Sequence, residues 1–171
     1  GERIAAPSND LLSAMLVAEE NGNKLNFEQV AMTTMTFLTA GFESVNNLFT
    51  NLSYALAVHP DVWAELRVNP ELMPQFVEEA MRWDAPAQGF VRTPTREVEL
   101  HGKTIPEKAQ VLLHIGAANR DERKFSNPDV LDIHRPKQRH LAMGMGVHFC
   151  VGAPLGRMMA QLLFVELIKA S

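Results

Sequence analysis

Apolar side chains recur at helical spacing along most of the chain and alternate with polar ones only in a short middle region. The helical spacing predicts helices over residues 10–20, 26–58, 61–66 and 73–83, and a last helix that begins near Leu155. The alternation begins after Arg92 and predicts short strands. We therefore expect a mainly α fold with small β sheets.

The predicted helix at residues 26–58 is the longest element. Asn26 has the properties of an N-cap, and Gln29, three residues later, is its reciprocal partner in a capping box. At about 1.5 Å per residue the helix would be roughly 50 Å long, well beyond an average globular helix. Gly41 in its middle costs about 1 kcal/mol relative to alanine, so packing or function has to compensate.

The strands are predicted around a turn-rich region. Residues 88–92 are expected to be extended, residues 98–106 to form a small hairpin around His101 and Gly102, and residues 111–115 to form a more buried strand. We expect the hairpin and the following loop at residues 118–128 to carry no chemistry of their own.

The composition is that of a globular protein of one domain or part of one. Of 171 residues, 46% are hydrophobic and 21% are charged, with a net charge of −4, so we expect no basic face for nucleic acid. The longest apolar run, residues 31–42, contains four threonines and is followed by Glu43, so we expect no membrane span. The opening residues do not show the pattern of a secretory signal, so we expect none, and we interpret their abrupt start as unlike a native N-terminus. A cytoplasmic location is expected.

The composition contains a single cysteine, Cys150, so an internal disulfide is excluded. Gly144, Gly146 and Gly152 surround this residue, and the helical pattern resumes shortly after it, with Pro154 suited to the first turn. A sulfur at or just before a helix N-terminus is stabilised as an anion.

Three interpretations of Cys150 compete. It could be a small hydrophobic residue buried in the core. It could be a catalytic nucleophile, which needs a histidine base and an oxyanion site, but we expect the side chain of His148 to point to the other side of the backbone. It could also be a thiolate ligand to haem iron, which needs one cysteine, nearby glycines and cationic groups for the propionates. The stretch at residues 140–157 supplies all three requirements of the last interpretation.

This stretch resembles the cysteine-ligand loop of the cytochrome P450 family, whose pattern is Phe-x-x-Gly-x-His/Arg-x-Cys-x-Gly. The match runs through Gly146, His148, Cys150 and Gly152, whereas Met143 stands where the family has phenylalanine. Methionine is more flexible and shields a sulfur less rigidly. The resemblance covers nearly the whole chain but less than half of the family's fold. It therefore implies a single partial domain over residues 1–171, from the long central helix to the helix after the cysteine loop.

A second resemblance lies in the middle of the long helix. Ala40, Gly41, Glu43 and Ser44 match the family's oxygen-binding groove, in which the glycine leaves space above the iron and an acid–alcohol pair relays protons. Ser44 takes the place of a threonine and lacks the β-methyl that restricts its rotamer. Without the resemblance, a surface glutamate and a packing glycine would account for these residues equally well.

A third resemblance is the Glu-x-x-Arg signature at Glu79 and Arg82. Most such pairs at i, i+3 are solvated and contribute only a few tenths of a kcal/mol. The resemblance implies instead that they join Arg135 to lock the core beneath the cysteine loop.

The resemblance also implies a cofactor and its contacts. The cofactor would be haem b (iron protoporphyrin IX), with Arg92 and His148 on its propionates. The residues implied to contact it are Ala40, Gly41, Arg92, Met143, Gly144, His148, Cys150 and Gly152, with Cys150 on the metal. Those implied to line the substrate pocket are Phe37, Phe42, Ala87, Gln88, Gly89 and Phe90.

The implied activity is mono-oxygenation, in which one atom of O2 enters a small, mostly apolar organic substrate. Lys137, Arg139 and Arg157 would suit an acidic ferredoxin or flavin-type electron donor, although a merely solvated cluster fits equally well. Two alternatives stay open: a family member driven by peroxide or performing a haem rearrangement, and a haem-binding protein without catalysis.

Overall fold

The computed structural model describes residues 2–20 and 22–170, and the side chains of Glu2 and Glu20 are not among the described ones. The described residues contain α-helices and three two-stranded sheets, as the apolar pattern predicts. The chain divides between Glu43 and Ser44 into two compact units.

The first unit begins with short elements. These are α1 (Glu2–Ala5), α2 (Leu11–Val17) and an antiparallel pair of strands, β1 (Glu19–Glu20) and β2 (Asn23–Lys24). The prediction of a helix through residue 20 is wrong, because the backbone becomes extended at Ala18 and the next residues pair as strands. Asn21, part of the predicted helix end, lies outside the described residues.

The long helix, α3 (Phe27–Val58), crosses the boundary between the units. Its predicted capping box is confirmed: Gln29 Oε1 accepts from Asn26 N at 2.8 Å and Asn26 Oδ1 accepts from Gln29 N at 2.9 Å. The helix continues unbroken through Gly41. It ends directly before His59 and Pro60, where a proline ring cannot continue the hydrogen-bond ladder.

In the second unit, α4 (Pro60–Val68), α5 (Met73–Trp83) and α7 (Ala153–Ala170) follow the predicted pattern. The short helix α6 (Ile115–Ala118) and the 3-10 turns at Pro70–Leu72 and Gly146–His148 were not predicted. Prolines occupy the first turns of α4, α5 and α7, where a missing N–H costs nothing.

Strands of the second unit form two small antiparallel sheets. In one, β3 (Gly89–Arg92) pairs with β6 (Val111–His114); in the other, β4 (Val98–Leu100) pairs with β5 (Lys103–Ile105). The second pair is the predicted hairpin. Ile115, predicted as the end of a strand, instead begins α6, because His114 caps that helix with its Nδ1 accepting from Ala117 N at 3.2 Å.

One apolar core holds the second unit together. It contains residues from the second half of α3 and from α4, α5 and α7, and Phe76 and Phe164 meet inside it edge to face with ring centroids 6.0 Å apart. Both rings are almost completely buried. This contact ties α5 to α7, the helix that begins shortly after Cys150. None of the described helices is both long and apolar enough to cross a membrane.

We expect Phe76→Ala to lower the free energy of unfolding by about 3–5 kcal/mol, because it removes a buried ring and leaves a cavity. A double-mutant cycle with Phe164→Ala should give a coupling of about 0.5–1.5 kcal/mol for the ring pair. The measurement is denaturant unfolding, with Leu162→Ala, an exposed position on α7, as the control. Additive effects of the two phenylalanine variants would contradict the ring–ring contact.

Candidate functional site

Cys150 is exposed and lies between a 3-10 turn and the start of α7. Its N–H donates to Met143 O at 2.8 Å, and its C=O accepts from Ala153 N at 3.2 Å. The backbone of the cysteine is therefore held on both sides. The exposed thiol does not fit the interpretation as a buried small hydrophobe.

Two glycines of the loop have left-handed backbones, with φ of 74° at Gly144 and 67° at Gly146. A Cβ on Gly144 would come within 3.0 Å of His148 O, so this turn has no room for a side chain. A Cβ on Gly146 would meet nothing within 4 Å. Gly144 is thus needed for packing within the loop, whereas Gly146 faces open space that a flat ligand can enter.

The carboxylate of Glu79 is shared by two arginines. Arg82 donates to its two oxygens from Nε and Nη2, each at 2.8 Å, and Arg135 Nε donates to Oε1 at 3.0 Å. The exposed fractions of the three side chains are 6%, 2% and 8% in the order Glu79, Arg82, Arg135. Further N–H groups of both arginines reach backbone carbonyls. The structure therefore brings together the Glu-x-x-Arg pair and Arg135, as the resemblance implied, in a buried and hydrogen-bonded cluster.

Asn119 connects this cluster to the cysteine segment, and the sequence interpretation missed it. Arg82 Nη1 donates to Asn119 O at 2.9 Å, while Asn119 Oδ1 accepts from Leu141 N at 2.7 Å. Leu141 O in turn accepts from Gly144 N at 2.8 Å. Asn119 is 1% exposed, and its Nδ2 has no hydrogen-bond partner among the described residues. The only sequence signal was a polar residue just after a short apolar run, so a loop without chemistry was predicted there.

Arg157 does not belong to a free cationic cluster with Lys137 and Arg139. Its Nε and Nη2 donate to the carboxylate of Glu78, which also accepts from His140 Nε2 at 3.2 Å. Burial raises the pKa of Glu78, but hydrogen bonds from His140 and Arg157 outweigh it and hold the pKa at about 2. Lys137 and Arg139 are exposed. The predicted cationic patch is therefore reduced to these two residues.

Arg92, on β3, is exposed and lies beside its neighbours on the strand. Its Nη1 donates to Val91 O at 2.9 Å, and its guanidinium carbon is 5.9 Å from the centre of the Phe90 ring. Gln88, one of the implied pocket residues, donates to Asp84 Oδ1 at 2.7 Å and to Ala85 O at 2.9 Å. The amide of Gln88 is thus engaged within the protein, whereas Phe90 is exposed.

The implied groove residues lie on consecutive turns of α3. A Cβ on Gly41 would meet nothing within 4 Å outside the helix itself, so no described residue packs against that position. Glu43 and Ser44 are exposed. The interpretation of Gly41 as a helix-packing residue therefore has no support among the described residues. Phe37 and Phe42, implied to line the substrate pocket, are also exposed.

Comparison with known proteins decides the family. The sequence profile of Cytochrome P450 matches residues 3–170. The chain belongs to the cytochrome P450 family. Sequence comparison and structural comparison agree on this assignment.

Two curated bacterial relatives match most of this chain. "Putative cytochrome P450 YjiB" of Bacillus subtilis is 43% identical over 169 residues, which is 99% of this chain and 43% of the relative. "6-deoxyerythronolide B hydroxylase" of Saccharopolyspora erythraea is 38% identical over 157 residues, 91% of this chain and 39% of the relative. The chain spans less than half the length of these relatives.

A solved structure of the same family gives the same fold. CYP109E1 from Bacillus megaterium, in a complex with testosterone, superposes with a TM-score of 0.93 at 35% identity. The superposition covers 98% of this chain and 47% of that one. The fold is that of a cytochrome P450, incomplete over these residues.

Cytochromes P450 use haem b, and the residues present here fit it. The structure offers one exposed sulfur donor, open space above Gly146, and exposed basic side chains at Arg92 and His148. The described residues hold no group of three or more His, Cys, Asp or Glu side chains that could bind a bare metal ion. A single thiolate suits an iron whose other ligands come from a porphyrin.

We expect Glu79→Ala to cost about 3–5 kcal/mol of folding free energy, because it leaves Arg82 and Arg135 buried without their counter-charge. The purified cytochrome P450 should then contain no haem, measured as haem per polypeptide. Glu166→Ala is the matched control: it removes a glutamate from an i, i+3 pair with Lys169 that is exposed, and should change little. Normal haem content in the Glu79 variant would contradict the structural role of the cluster.

Proposed function

We propose that the protein carrying this chain is a haem-thiolate mono-oxygenase that inserts one oxygen atom of O2 into a small, mostly apolar organic molecule. The observation that carries the proposal is the loop of Cys150, which presents an exposed sulfur between two backbone hydrogen bonds at the start of a helix. Family membership supports it. A cytoplasmic location is part of the proposal, supported by the composition.

A small set of side chains carries the proposed chemistry. Haem, when bound, supplies the redox chemistry that reduces and cleaves dioxygen. Cys150 would hold the iron as a thiolate ligand and donate electron density to it. Glu43 and Ser44 hold and pass protons at their carboxyl and hydroxyl oxygens. Arg92 and His148 would pair with the propionate carboxylates.

The proposed substrate is apolar because three of the residues that the resemblance assigns to its pocket, Phe37, Phe42 and Phe90, are aromatic. Ala87 and Gly89 are half-buried beside Phe90. Since CYP109E1 forms a complex with testosterone, steroids belong in a panel of candidate ligands.

The proposed electron donor is an acidic ferredoxin or a flavin-type protein. Lys137 and Arg139 are exposed and precede the cysteine loop, so they offer positive charge to an acidic partner. Peroxide-driven oxidation is the second candidate. Turnover with a reductase system, compared with turnover on hydrogen peroxide alone, separates the two.

The test of the proposal is the optical spectrum of the reduced protein with carbon monoxide. The parent should show the red-shifted Soret band that a thiolate ligand produces, and Cys150→Ala should lose it, because no other cysteine exists in the chain. Val151→Ala, at the exposed neighbouring position, should retain the band. An unaltered band in the Cys150 variant would overturn the proposed function.

We expect Ser44→Thr to lower the amount of hydrogen peroxide released per NAD(P)H consumed. The added β-methyl restricts the rotamer of the hydroxyl, so protons are delivered more reliably. The same substitution at Ser53, an exposed serine on α3 that donates to Phe49 O, is the matched control. Equal peroxide yields in the parent and the Ser44 variant would count against a role for this hydroxyl in proton delivery.

A further inference from the structure

Glu78 and Glu79 are consecutive residues of α5, and their side chains enter two different networks. Glu79 belongs to the buried arginine cluster. Glu78 accepts from His140 and from two nitrogens of Arg157. The side chains of Glu78, His140 and Arg157 are 31%, 7% and 28% exposed. The network that they form is therefore partly shielded from water.

His140 connects Glu78 to the segment ahead of the cysteine. Its Nδ1 accepts from Ala142 N at 3.2 Å, so this nitrogen carries no proton. In the neutral ring Nε2 then carries the proton and donates to Glu78. Ala142 is followed by Met143, whose carbonyl accepts the N–H of Cys150. A path of hydrogen-bonded or adjacent residues thus joins Glu78 to the cysteine.

Arg157 connects Glu78 to the segment behind the cysteine. It lies in the second turn of α7, the helix whose first N–H, on Ala153, donates to Cys150 O. The residue before it, Gly156, donates from its N–H to Gly152 O at 2.9 Å and so continues the same turn. α5 therefore holds the cysteine segment from both ends through one carboxylate.

The charges follow the same geometry. Arg157 carries a positive charge in the second turn of α7, the helix that begins three residues after Cys150, and its ion pair with Glu78 offsets that charge. The hydrogen bond to Glu78 also raises the pKa of Arg157, against a smaller opposing effect of burial.

We propose that Glu78 is a positioning residue. Through His140 and Arg157 it fixes both ends of the cysteine segment, and its negative charge offsets the positive charge of Arg157, which would otherwise act on the sulfur. The positioning part concerns the chain alone. The charge part rests on the proposed function, because the charges of Glu78 and Arg157 would affect the reduction potential of an iron that Cys150 holds.

Hydrogen–deuterium exchange of the full protein as purified, with its haem, tests the positioning part. Glu78→Gln keeps the shape but has one acceptor oxygen for three donors, so exchange should rise about tenfold both in residues 140–150 and at the start of α7, in line with the loss of about 1.4 kcal/mol of hydrogen bonding. His140→Phe should speed exchange only ahead of the cysteine, and Arg157→Gln only behind it. Glu71→Gln, an exposed glutamate just before α5, should change neither. Unchanged exchange at residues 140–150 in Glu78→Gln would overturn the proposal.

The reduction potential of the haem-loaded protein tests the charge part. Removing the negative charge with Glu78→Gln should raise the potential, removing the positive charge with Arg157→Gln should lower it, and the double variant should return close to the parent. A general loss of structure would shift the reduction potentials of both single variants in the same direction. Shifts of the same sign would therefore overturn the charge part.

The failure of this proposal and the failure of the proposed function give different results. A parent protein without a thiolate-type carbon monoxide spectrum would refute the function, while the exchange pattern would still decide the role of Glu78. If Glu78→Gln does not fold, the His140 and Arg157 variants still test the two connections, because their exchange should increase on opposite sides of the cysteine. An increase in exchange over the whole protein in these two variants would overturn the proposal.

Discussion

A carboxylate buried between two guanidinium groups is the interaction on which the rest of this structure depends. Taking Glu79, Arg82 and Arg135 out of water is costly, and the cost is offset only when the charges are close and the remaining N–H groups are satisfied. Both conditions hold here, since the arginines also donate to backbone carbonyls at the end of α6 and in the loop after it. The cluster therefore fixes irregular backbone that has no helix or strand to hold it.

The cysteine loop depends on this arrangement because apolar packing anchors only its start, where Ala142 belongs to the core and Leu141 and Met143 pack against it. Val147, Phe149 and Val151 are 97%, 45% and 78% exposed, so burial does not hold the rest of the loop in place. Hydrogen bonds do this instead, through Asn119 on one side and the backbone bonds of Cys150 on the other. A site of this kind is shaped by polar geometry, and haem would then cover the apolar residues.

Much of the fold could be predicted because its signals are local. A capping box, proline at helix starts and helical periodicity depend on residues a few positions apart, and these predictions for α3, α5 and α7 agree with the structure. The end of α2 was wrong because a two-residue strand pairing overrides helical propensity there. At the site, the cysteine pattern and the Glu-x-x-Arg spacing could be read from the sequence. Asn119 and the partner of Arg157 could not, since both depend on residues far away along the chain.

Sequence separation has a consequence for how this structure assembles. The contacts that support the cysteine segment join residues far apart along the chain. Glu79 and Asp132 are separated by 53 residues, and Glu78 and Arg157 by 79. Closing loops of that length costs chain entropy before any contact compensates for it. We therefore expect the cysteine segment to become ordered only after α7 has packed against α5, late in the folding of this unit.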